Sequence, residues 1–130
     1  MKRSLTGRCG AACLGLLLLV APGLPALAHH SFALFDLGKE VTVSGTVKEL
    51  QWTNPHCWIQ LLVPNNDSTV EWSIEMGSPL EMLRGGWRPT TIKPGDKIEV
   101  TLHPLRDGKS GGSFVTAKFA DGRAISTQTK

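Results

Sequence analysis

The chain has 130 residues, with 14 Lys and Arg against 11 Asp and Glu, and a formal charge of +3. Lys2, Arg3 and Arg8 supply that whole excess, so the remainder is formally neutral and lacks the basic balance that would draw nucleic acid or an anionic membrane surface. The length suffices for one compact domain behind a short leader.

The leader is legible as such. A basic start is followed by an apolar run from Ala11 to Leu24, and Ala26 and Ala28 stand at the small-residue spacing of a signal-peptidase site. The expected organisation is a cleaved signal peptide over 1–28, an N-terminal arm over 29–39, a barrel over 40–125 and a polar tail over 126–130. Cleavage after Ala28 leaves His29 at the mature terminus, and cleavage after Ala26 leaves histidine third. Nearly all of the apolar run follows Cys13 rather than preceding it, which argues against a lipoprotein. No later apolar stretch approaches the roughly 20 residues of a membrane helix, so the mature chain is expected to be soluble in the periplasm without membrane insertion. Cys9 and Cys13 leave with the leader. Cys57 then has no intramolecular disulfide partner and is read as a small buried hydrophobe.

From Glu40 to Trp52 residues alternate, with Val41, Val43, Gly45 and Val47 on one face of a half-buried strand. Gly45 marks a bulge or bend, and Thr53-Asn54-Pro55 ends the pattern. A second strand runs from His56 to Val63, with Cys57, Ile59, Leu61 and Val63 inward and His56, Trp58, Gln60 and Leu62 outward. Pro64 to Asp67 turns the chain into a third strand, Thr69 to Met76, in which Val70, Trp72 and Ile74 face in. Trp72 is expected to be a principal core residue, and Glu71 and Glu75 a solvated face.

Ser78-Pro79-Leu80-Glu81 has the form of a capped helix start, with Leu80 and Leu83 on one face and Gly85-Gly86 as the stop. Lys93-Pro94-Gly95-Asp96 reads as a type II turn into a fourth strand, Lys97 to His103, with Ile98, Val100 and Leu102 inward. Pro104 to Ser113 reads as a glycine-rich loop, Phe114 to Phe119 as a fifth strand, and Asp121-Gly122 as a hairpin turn to a short last strand around Ala124 and Ile125. Three strands, a short helix and two strands define an all-β fold class, a small five-stranded OB-fold-like Greek-key barrel with one helix between strands 3 and 4.

The strings His29-His30-Ser31-Phe32, Trp52-Thr53-Asn54-Pro55-His56 with Trp58-Ile59, Glu71 to Pro79, and His103-Pro104-Leu105-Arg106-Asp107-Gly108 also carry a resemblance. They look like those of a family of secreted bacterial proteins known only as a domain of unknown function. The resemblance spans nearly the whole mature chain. It implies export from a bacterial cell and no particular activity.

Two chemistries are open. His29, His30, His56 and His103 all survive cleavage, and imidazole is the commonest metal ligand. The terminal amine and ring of His29 can close around one copper ion, with a third nitrogen from His56 or His103. Against this, His29 and His30 can begin a plain arm while His56 and His103 make ordinary loop hydrogen bonds. The rival is an aromatic face of Trp52 and Trp58, with Phe114 and Trp87 beside it, serving an exported protein partner or a small ligand; these rings can equally cover the barrel ends. No catalytic motif is found. Gly108-Lys109-Ser110 lacks the earlier glycine and the strand-to-helix setting of a phosphate loop, and Cys57 and His56, as strand neighbours, point to opposite faces.

Overall fold

The computed structural model describes residues 33–126. Six strands follow one another as β1 (Val41–Gln51), β2 (Trp58–Asn65), β3 (Ser68–Glu75), β4 (Lys97–Pro104), β5 (Gly111–Phe119) and β6 (Ala124–Ser126), with the helix α1 (Pro79–Arg84) between β3 and β4. The sheet order is β3-β2-β1-β4-β5-β6. A parallel pairing of Ser73–Glu75 with Gly111–Ser113 joins β3 to β5 and closes five strands into the expected barrel. β6 lies on β5 beyond that closure, at Thr116–Lys118.

Local signals place the connections. A two-residue loop joins β2 to β3, and Asn66 adopts a positive φ of 50° there, which asparagine tolerates. Gly95 has φ 94°, and Asp96 N donates to the Lys93 carbonyl at 3.1 Å, the hydrogen bond of the expected turn. The helix has its capping box: Ser78 N donates to Glu81 Oε2 at 2.7 Å, and Ser78 Oγ accepts from Glu81 N at 3.4 Å. It buries Met82, while Leu80 and Leu83, read on one face of the helix, are exposed.

The core holds Val47, Ile59, Leu61, Ile74, Val100 and Leu102 on the inward phases read above, and Cys57 is buried with them. Its largest fully buried side chain, however, is Trp87, with its ring T-shaped against Phe114 at 5.4 Å. Trp72 is half-buried against the edge of the cluster, a correction to its expected place.

Two β-bulges explain the other departures. In β1 the register shifts between Val47 and Glu49, so Glu49 stands opposite Gln60 and Leu50 opposite the inward Ile59. One extra residue reverses every later face of a strand, and Trp52 accordingly packs against the core instead of facing out. In β5 Phe114 is opposite the inward Leu102 while Thr116 is opposite Thr101, so Val115 is the extra residue. Phe114 is therefore inside, only 6% exposed. Gly45 is not itself a bulge: a Cβ there would lie 2.5 Å from the Leu62 carbonyl oxygen, and glycine lets β1 and β2 meet that closely.

The glycine-rich loop is shorter than expected, because β5 starts at Gly111. A Cβ on Gly112 would collide with the His103 carbonyl oxygen, so this glycine serves close strand pairing. Residues 33–39 of the arm are fastened along the end of β4. Asp36 N donates to the Pro104 carbonyl at 2.8 Å, Arg106 N to the Leu34 carbonyl at 2.9 Å, and Phe35 is buried opposite Leu105.

Candidate functional site

The ladders place a row of side chains around the outside of the barrel. Gln51 is opposite Trp58, Trp58 opposite Glu75, Glu75 opposite Ser113, and Ser113 opposite His103. Directly opposed residues share a face. His103 follows the inward Leu102, so the whole row faces outward.

His56 joins it through its ring. His56 Nδ1 donates to the Met76 carbonyl at 3.0 Å and lies 3.3 Å from Glu75 Oε1. His103 Nδ1 donates to the Lys39 carbonyl at 2.7 Å. A ring nitrogen facing a carbonyl must carry the proton, so in each neutral imidazole Nε2 is left as the acceptor, the state in which histidine binds a metal. Lys39 belongs to the arm, which ties the His103 ring to the segment leading back to His29.

A second row lies beside the first. Ser73 Oγ donates to Gln60 Oε1 at 2.7 Å, Gln60 Nε2 to Gln51 Oε1 at 3.3 Å, and Gln51 Nε2 to Glu49 Oε1 at 2.8 Å. This directed chain of donors ends on a carboxylate. Gln60 is only 8% exposed although its phase is outward, held between the Gln51 and Ser73 side chains of the two flanking strands. At the border Lys48 Nζ contacts both carboxylate oxygens of Glu71, at 2.8 and 3.0 Å.

Of the expected site residues, His56, His103 and Trp58 share this outer face. Trp52 and Phe114 do not, for the reason the bulges give, and Trp87 is in the core. His29, His30 and the expected cleavage point lie outside the described residues. Among the described residues, no three His, Cys, Asp or Glu side chains come together as a metal site. Glu75, Ser113, Gln51, Gln60 and Ser73 were not anticipated as site residues. The alternation of β2 exposes Gln60, but nothing local announces the β3–β5 pairing that sets Ser113 beside Glu75.

Burial pushes the Cys57 thiol above its ordinary pKa, partly opposed by a hydrogen bond from Thr53. A protonated, enclosed thiol is a poor nucleophile and a poor ligand. The backbone N–H and hydroxyl of Ser78 hold the Glu81 carboxyl below its usual value. A separate cleft of about 550 Å³ opens between Gly86, Thr90 and Thr91 on one side and Phe119, Arg123, Ala124 and Ile125 on the other, and contains none of these residues. No helix among the described residues is long and apolar enough to cross a membrane.

Neither a curated protein nor a solved structure matches the chain. A family model does, over residues 17–114, which takes in β1 to β4 and the outer face with His56 and His103. The chain belongs to that family, a family of unknown function (DUF6152).

Proposed function

We propose that the chain is exported to the periplasm, that its mature form starts at His29, and that it is a non-enzymatic protein holding one copper ion. The ion is bound by the terminal amine and ring of His29, with a further nitrogen from the barrel. The observation that carries this reading is the hydrogen bond from His103 Nδ1 to the Lys39 carbonyl. It fixes the ring on the arm itself and leaves Nε2 to accept a metal.

The chain length permits the meeting. His29 and Leu34 are five residue steps apart along the chain, a span of up to about 17 Å. Arg106, which bonds Leu34, is three residues along the chain from His103, a span of at most about 11 Å. His56 has the same Nδ1 arrangement and is the second candidate, while His30 lies beside the terminus. Since the described residues bring no complete ligand set together, the terminus supplies the first two nitrogens on this reading and the barrel completes the site.

The test is copper titration of protein processed to His29, beside a form retaining one residue before His29 and beside His29→Ala, His103→Ala and His56→Ala. Loss of the free amine or of the His29 ring should abolish tight binding, and His103→Ala should weaken it more than His56→Ala. Unchanged affinity in the extended form would overturn the proposal. Metal ligands must be deprotonated, so affinity should fall below neutral pH as protons compete for the terminal amine, of ordinary pKa about 7.7–8.0.

A further inference from the structure

We propose that the outer face of β1, β2 and β3 binds a neutral oligosaccharide, stacked on Trp58 and hydrogen-bonded by Gln51, Gln60 and Glu75. This inference is independent of the copper site. A pyranose presents an apolar C–H face and a rim of hydroxyls that each donate and accept. Its recognition needs a flat apolar ring flanked by planar groups able to do both.

Trp58 supplies the ring. It faces outward between Gln51 and Glu75, is half-buried, and takes no part in the core cluster. Gln51 and Gln60 supply the planar groups. In the donor chain from Ser73 to Glu49 each amide uses one N–H, so each keeps a second N–H, and the carbonyl oxygens keep lone pairs. The chain also fixes both amides before any ligand arrives, which lowers the ordering cost of binding. Gln60, almost enclosed, cannot swing away.

Charge narrows the class. The face carries Glu49 and Glu75, and the lysine at its border, Lys48, is already spent on Glu71. Phosphate and uronate groups would meet carboxylates there, whereas neutral sugars meet acceptors. Three strands give a width of two strand spacings, about 10 Å, enough for two pyranose rings.

The test is amide and indole NMR of isotope-labelled, metal-free protein carrying a residue before His29, titrated with cellohexaose, maltohexaose and hexa-N-acetylchitohexaose. At least one should saturably shift the Trp58 indole N–H and the Gln51 and Gln60 side-chain amides. Trp58→Ala should weaken that binding about tenfold or more, and Trp58→Phe should restore part of it. Gln51→Ala, at a half-buried amide less enclosed than Gln60, should weaken it several-fold while the variant still unfolds cooperatively as a folded domain. No saturable shift from any of the three sugars, shifts confined to another face, or a Trp58→Ala variant that binds as well as the parent would each overturn the proposal.

Discussion

Trp87 is the largest fully buried side chain, and its indole N–H has no hydrogen-bond partner among the described residues. Truncating a buried aromatic costs about 3–5 kcal/mol, so Trp87→Ala should leave the domain barely folded in thermal or denaturant unfolding. Trp87→Phe should cost far less, because it also removes a buried unpaired donor worth about 1–3 kcal/mol. Trp72→Ala, at the cluster's edge, should fall between Trp87→Ala and the exposed Glu71→Ala. Equal losses for Trp72→Ala and Trp87→Ala would contradict this placement. Cys57 permits a second check: a thiol reagent should label it slowly in folded protein and quickly in denaturant, since its thiol is enclosed and its pKa raised. The inward place of Cys57 was legible from simple alternation. That of Trp87 was not, since it lies in an irregular segment after Gly86, where no periodicity operates.

Among the elements, the helix start could be read almost atom for atom, because a capping box is a local device with its partners three residues apart. Its energy is correspondingly local. Ser78→Ala should cost about 1 kcal/mol, measured as a shift in unfolding midpoint. Glu81 adds a pH dependence whose sign is fixed: its carboxyl is held below its unfolded value, chiefly by the Ser78 backbone N–H. The stability it contributes is therefore complete above the unfolded value of about 4.3 and is lost as pH falls through the lower folded value. Glu81→Gln should flatten that acid limb, and an unchanged limb would contradict the assignment. The bulges in β1 and β5 were the opposite case. Each extra residue is chosen by how one strand must curve to meet its partner, information carried by the closed barrel. A reading by alternation therefore put Trp52 and Phe114 on the outer face, where they do not lie, while Val47, ahead of the bulge in β1, is buried with the face it was read on.

At the scale of the molecule, strand count, order and the helix insertion were legible because turn residues punctuate the chain. The outer row was only half legible. His56, Trp58 and His103 stood out by residue type and phase, but their common surface with Glu75 and Ser113 depends on strands β3 and β5, which are distant in sequence and meet only when the barrel closes. The arm is the other long-range feature: its fastening to β4 and to the His103 ring is what would make the barrel more than a carrier of a terminal peptide. That is the central claim of the proposed copper function, and its most direct measurement compares Cu(II) affinity of the protein processed to His29 with that of the free peptide His29-His30-Ser31-Phe32. A site completed by His103 should hold copper at least about tenfold more tightly in the protein, a difference of about 1.4 kcal/mol, and should lose that margin in His103→Ala. Equal affinity of peptide and protein would mean that the barrel contributes no ligand, and would contradict the account.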